Sequence, residues 1–65
     1  MMMSSWVIKH KKTGEMFSNF DSQDKVVWNS DDPWLYPREC DALFVMYHVD
    51  ELLEVSLVEP FIKPN

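Results

Sequence analysis

Pro37-Arg38-Glu39-Cys40-Asp41-Ala42-Leu43-Phe44-Val45-Met46-Tyr47-His48-Val49 is the stretch whose reading decides the fold. Two readings compete. As a helix, Pro37 suits the first helical position, and Glu39 and Asp41 fall in the first turn, where acids meet the positive end of the helix dipole. Cys40, Leu43, Phe44 and Tyr47 then recur at the i, i+3, i+4, i+7 spacing of one helix face. As a strand, Ala42 to Val49 offers Phe44, Val45, Tyr47 and Val49, all residues that favour pleated structure. A short apolar run does not discriminate the two by periodicity alone. The acidic start and the proline favour the helix, over Pro37 to about Val49.

The flanking sequence supplies strands. Upstream, Trp6, Ile8 and His10 alternate with Val7, Lys9 and Lys11, the period-two pattern of a strand. Lys12-Thr13-Gly14-Glu15 is a turn, and Gly14, the only glycine, supplies the positive φ that turns need. Met16 to Phe20 is read as the returning strand, so Trp6 to Phe20 forms a hairpin with its turn at Thr13-Gly14. Asp21 to Asp24 reads as a loop, Val26-Val27-Trp28 as a short strand, and Asn29 to Pro33 as a second loop. Pro37 disfavours helix in the residue before it, so Tyr36 is expected to be extended. Downstream, Leu52 to Val58 alternates again, with Leu53, Val55 and Leu57 facing the core and Glu54 and Ser56 facing water. Pro60 ends the regular part. The sum is an α+β class: a small antiparallel sheet of three to four strands with one helix packed on it, in the order ββ(β)αβ. Residues 1–5 are expected to be a disordered N-terminal tail, 6–62 a single domain and 63–65 a C-terminal tail.

At 65 residues the chain is one domain, and a domain of that size buries only about 60% of the surface its unfolded chain exposes. Cys40 is the single cysteine, so an internal disulfide is excluded. A lone thiol without a signal peptide reads as cytosolic. The longest unbroken apolar run, Ala42 to Tyr47, is far short of a membrane span. Stability must come from a dense aromatic core or from association.

Six basic residues face 11 acidic ones, for a net charge of −5. The imbalance is uneven: Lys9, Lys11 and Lys12 against Glu15 leave residues 1–20 at +2, and the rest of the chain carries −7. An acidic stretch of that strength repels phosphate backbones and anionic lipid. Direct nucleic-acid or membrane binding is therefore not expected, and a partner with a basic surface is favoured. Acidity that only keeps the protein soluble is the plainer alternative.

Catalytic chemistry is sparse. His10, His48 and Cys40 are the only soft metal ligands, with no CxxC or HxxxH spacing, against the about four ligands of a structural site. On a helix, Cys40 and His48 stand two turns apart, about 12 Å, too far to share a proton. One glycine builds no phosphate-cradling loop. Asp31-Asp32 and Asp50-Glu51 are paired carboxylates, but both pairs read as loop residues in water, without the burial that acid–base work needs. Cys40 reads as a packed residue and both histidines as ordinary. No enzyme, no cofactor and no metal is expected.

Two features read as binding surface. The first is Asp31-Asp32-Pro33-Trp34-Leu35-Tyr36, two acids followed by two large aromatics, since Trp and Tyr anchor interface hot spots. Its plainer alternative is that Trp34 packs in the core of a tiny domain. The second is the acids Asp50, Glu51, Glu54 and Glu59, which read equally as a solvated face. The residues expected to meet a partner are Asp31, Asp32, Trp34, Tyr36, Glu54 and Glu59.

The layout Trp6-Val7-Ile8-Lys9, then Thr13-Gly14-Glu15, a further Trp, a helix and a final strand is similar to that of small accessory proteins of tailed bacteriophages. Asp41-Ala42-Leu43, followed by Glu54 to Asn65, resembles the ending of the small RNA-polymerase inhibitor of short-tailed coliphages, with the match at Glu54, Val55, Val58, Pro60 and Pro64. The chain departs from it at Leu57 and Glu59, where that family has basic, polymerase-contacting residues. The resemblance implies one helix on a three-stranded sheet, a negatively charged strip, and occlusion of the host RNA polymerase in the bacterial cytoplasm; other nucleic-acid-handling proteins, such as a defence nuclease, fit the charge equally well. The rival functions are a structural or assembly module that forms a homodimer or larger homo-oligomer, and a small antitoxin or regulatory partner.

Overall fold

A computed structural model describes residues 5–62. Of the expected tails, residues 1–4 and 63–65 lie outside the described residues, while Ser5, expected in the N-terminal tail, belongs to the first strand. The order is β1 (Ser5–His10), β2 (Phe17–Phe20), β3 (Val26–Trp28), α1 (Glu39–His48), α2 (Asp50–Val55) and β4 (Ser56–Phe61). The class is α+β, with all described strand pairing antiparallel.

The strands form two two-stranded sheets, β1–β4 and β2–β3, where a single sheet of three to four strands is expected, because β1 and β2 meet only in an isolated bridge. β1 pairs with β4 along its whole length, from Ser5↔Phe61 to His10↔Ser56. β2 pairs with β3, with an irregularity between Phe17 and Asn19. β1 and β2 meet through a tight link: the bridge Lys9↔Met16, and the His10 amide donating to the Glu15 carbonyl at 2.8 Å. Gly14 sits in that turn at φ 78°, the left-handed region that glycine enters freely. His10 organises the turn as well, its Nδ1 accepting from the amides of Lys12 (3.1 Å) and Thr13 (3.3 Å). In the next loop Asp21 Oδ1 accepts from the amides of Gln23 and Lys25, and these bonds hold its carboxyl below the ordinary value, the Lys25 amide most strongly.

Trp6 places the last piece of the sheet. Its amide donates to Tyr36 (2.8 Å) and its carbonyl accepts from Tyr36 (2.9 Å), so Tyr36 is extended beside β1, as Pro37 requires. Both backbone groups of Trp6 therefore point away from β4. Its partner Pro60 then points away from β1, on the other edge of β4. Pro60 thus does not end the strand. It lies inside β4 where its missing N–H removes a donor from the open edge. The Ser56 amide on that edge is taken by the Leu52 carbonyl. Of the β4 residues whose amides point outward, Val58 alone has an N–H not used in these ways, so the edge is a poor template for strand addition.

The helix reading of the deciding stretch holds, and the strand reading does not. Pro37 precedes the N-cap, Arg38, instead of opening the helix. Val49 is extended (φ −124°, ψ 105°) and breaks the chain into a second short helix. The strand expected from Leu52 to Val58 therefore begins only at Ser56, and Asp50-Glu51 forms the exposed first turn of α2 instead of a loop. Because Leu52 is spent in α2 as a fully buried residue, the alternation downstream is inverted: Ser56 is buried and Leu57 is exposed.

The core is Ile8, Phe17, Tyr36, Ala42, Met46 and Leu52, with Trp6, Val26, Trp28, Leu43, Val45, Val49 and Val58 packed against it. From α1 it takes Ala42 and Met46, spaced i, i+4, on the opposite side from the predicted stripe. Of that stripe only Leu43 is half-buried, and Cys40, Phe44 and Tyr47 are exposed. The sheet face carrying Ile8 packs on the helices. On the other face Val7 is buried with Glu59 directly across, and Lys9 Nζ reaches Glu59 Oε1 at 3.1 Å beside it.

Candidate binding site

The loop from Asn29 to Tyr36 is stitched to the sheet at nearly every step. The Asn29 amide donates to the Met16 carbonyl at 2.8 Å, and the Ser30 hydroxyl accepts from the Met16 amide at 3.2 Å. Asn29 then shapes the turn itself: its side-chain carbonyl accepts from the Asp31 amide (3.0 Å) and its backbone carbonyl from the Asp32 amide (3.2 Å). Ser18, buried on β2, donates its hydroxyl to the Asp32 carbonyl at 2.7 Å. The Trp34 amide donates to the Phe17 carbonyl at 2.9 Å, and Tyr36 closes the series on Trp6. These bonds, at Asn29, Asp31, Asp32, Trp34 and Tyr36, tie the loop backbone down at several points and restrict the positions of its side chains.

Those side chains divide by burial. Asp31 and Asp32 are exposed. Trp34 is 53% exposed, and its ring stacks at 6.2 Å and 29° on Tyr36, which is only 8% exposed. Of the two predicted aromatics, Trp34 is thus the one that reaches solvent, and Tyr36 is the floor beneath it. Burial pushes the Tyr36 phenol up to about 12. Beside Trp34 lies a shallow depression of about 340 Å³ lined by Ser18, Asn19, Asp32, Pro33, Trp34 and Leu35.

The other two predicted residues lie on different elements. Glu54 is exposed on α2. Glu59 is half-buried on β4, and Lys9 offsets its charge. Neither lines the depression, which joins Asp32, Pro33, Trp34 and Leu35 of the predicted stretch to Ser18 and Asn19, residues that the sequence reading did not single out. Ser18 and Asn19 carried no sequence signal, because they enter the site only through β2 running beside the loop.

Among the described residues no group of three or more His, Cys, Asp or Glu side chains is placed to hold a metal ion, and no helix is long and apolar enough to cross a membrane. No family model matches the chain, and neither does any curated protein or solved structure.

Proposed function

We propose that the chain is a binding protein and not an enzyme: a bacteriophage-encoded inhibitor that occludes a basic surface of a host nucleic-acid-handling protein, such as RNA polymerase or a defence nuclease, in the bacterial cytoplasm. The observation that carries this reading is Trp34, a large ring half in solvent on a hydrogen-bonded loop, with Asp31 and Asp32 beside it. An aromatic held rigid before binding loses little entropy on docking, and acids at its rim attract a basic partner. Glu54, exposed on α2, adds to the overall negative charge without lining the depression. Glu59 contributes less, because Lys9 is bound to it. The alternative, a homo-oligomeric assembly module built through sheet edges or the aromatic patch, is disfavoured at the open edge of β4 by Pro60, and by either route through the net charge of −5 that each copy brings.

The test is binding kinetics on immobilised chain, first with bacterial lysate and then with purified RNA polymerase and basic nucleases. Trp34→Ala is expected to speed dissociation about 30-fold, the equivalent of a 2 kcal/mol hot spot. Asp31→Asn with Asp32→Asn is expected to slow association and flatten its salt dependence. Retention of the same proteins at unchanged rates by both variants would sink the reading.

A further inference from the structure

Helix α1 is apolar around its whole circumference: between Asp41 and His48 it runs Ala42-Leu43-Phe44-Val45-Met46-Tyr47 without a polar residue. A helix apolar on all sides is normally covered on all sides. Here the sheet covers one side, at Ala42 and Met46, and the other stands bare, with Phe44 63% and Tyr47 60% exposed. At 100° per residue, Cys40, Phe44, Tyr47 and His48 form one stripe directly opposite Ala42 and Met46. The stripe is also held in shape. His48 donates Nδ1–H to the Phe44 carbonyl at 2.7 Å, and the two rings stack at 4.1 Å and 29°.

Charge selects the occupant. Around the stripe, residues 38–55 carry Glu39, Asp41, Asp50, Glu51 and Glu54 against Arg38 alone, a net −4, and Arg38 is itself bound to Asp41 at 3.2 Å. A second copy of the chain would bring two such fields face to face, which costs affinity. A partner with positive charge flanking apolar side chains complements both the rings and the acids. A straight, narrow stripe of knobs one helix wide fits the groove between side-chain ridges of another helix.

We propose that the outer face of α1 is a second docking surface, separate from the Trp34 loop, and that it takes a basic amphipathic helix of a partner protein. Phe44 and Tyr47 are its anchors, His48 fixes the Phe44 ring, and the net negative charge of residues 38–55 favours the basic partner.

The experiment titrates the full chain with a synthetic amphipathic helix of Leu and Lys, with its Leu/Glu counterpart, and with a Leu/Lys peptide of scrambled order. Backbone amide shifts and affinity are the readouts. The ordered Leu/Lys helix is expected to bind and to shift amides of Cys40, Phe44, Tyr47 and His48. Phe44→Ala with Tyr47→Ala is expected to weaken that binding 30-fold or more, by about 2 kcal/mol or above, as for hot-spot residues. Trp34→Ala is expected to leave it unchanged, which separates this surface from the loop. Amide spectra of the variants, unchanged outside α1, show that the fold survives. Four outcomes would overturn the proposal. These are no binding of the ordered Leu/Lys helix, equal binding of the Leu/Glu or scrambled peptide, binding indifferent to the double substitution, or concentration-dependent self-association abolished by it. The last would assign the face to a second copy.

Discussion

β1 and α1 share one core and close it differently. In β1 two consecutive residues, Val7 and Ile8, are 1% and 0% exposed, so both faces of the strand are shut. One face packs against the helices, and the other carries the Lys9–Glu59 pair. In α1, Ala42 and Met46 are shut in the same way, but Phe44 and Tyr47 on the far side are mostly in solvent. An apolar side chain at the centre of β1 is therefore a structural residue, whereas one in α1 is structural or bare depending on its angle. Hydrophobicity alone does not mark the core of so small a domain. There is only enough chain to cover one side of α1, and the uncovered rings are the part available to another molecule.

Ile8→Ala is the substitution that tests the closed side most severely. Removing buried branched methyls from the centre of the sheet is expected to destabilise by about 2–5 kcal/mol, a large share of the stability of any small domain. Urea or thermal denaturation followed by Trp fluorescence checks it. A loss under about 1 kcal/mol would mean that the core is not where β1 meets the helices.

Tyr36 gives a pH test of the same core. Its folded value of about 12 lies above the ordinary 10.0 of a tyrosine, because burial disfavours the phenolate. The unfolded chain thus releases the proton first. The stabilisation is whole below pH 10 and drains away as pH climbs toward 12, at up to about 1.4 kcal/mol per unit. Denaturation midpoints measured across that window are expected to fall, and to fall less in Tyr36→Phe. An equal fall in both proteins would remove Tyr36 from the core.

The comparison also shows what was legible in the sequence. β1, the Gly14 turn, β3 and the existence of α1 follow from local rules that tertiary packing did not override. The phase of α1 did not follow. With six apolar residues in a row from Ala42 to Tyr47, every choice of face gives an apolar stripe, and the sheet selected Ala42 and Met46. One extended residue, Val49, then changed the meaning of everything after it. It turned Asp50–Val55 into α2 and shifted the strand alternation by one, so that Ser56 went inward. Trp34 was legible as a site candidate because two acids and Pro33 precede it. Its support by Ser18 and Phe17 was not, since those bonds span the fold.

Ser56 is the smaller test of that shifted alternation. Its hydroxyl is buried and has no hydrogen-bond partner among the described residues. A buried hydroxyl left unpaired carries a desolvation penalty of about 1–3 kcal/mol. Ser56→Ala removes the penalty with little change of volume. It is expected to be neutral or to stabilise by up to about 1 kcal/mol, read from denaturation midpoints. A destabilisation of 1 kcal/mol or more would show that the hydroxyl is bonded and that β4 sits in a different register.

Phe44→Ala is expected to have the smallest effect on stability, and for that reason it draws the line between the two sides of α1 most sharply. The ring is 63% exposed, so truncating it removes little buried area and opens no cavity. What is lost is its stack on His48 at 4.1 Å. What is gained is helix propensity, because Ala is the better helix former by up to about 0.7 kcal/mol. The two terms oppose each other, and the net change is expected within about 0.5 kcal/mol, as for surface positions generally. Met46→Ala, two positions along the same helix and 7% exposed, is expected to cost about 2–5 kcal/mol. Denaturation curves for the two variants therefore measure the phase of α1 directly. Equal costs would mean that Phe44 is buried in solution, either in a repacked core or against another copy of the chain. Sedimentation at several concentrations separates those two cases. A free Phe44, by contrast, leaves the bare face of α1 open to a partner without any expense of folding stability.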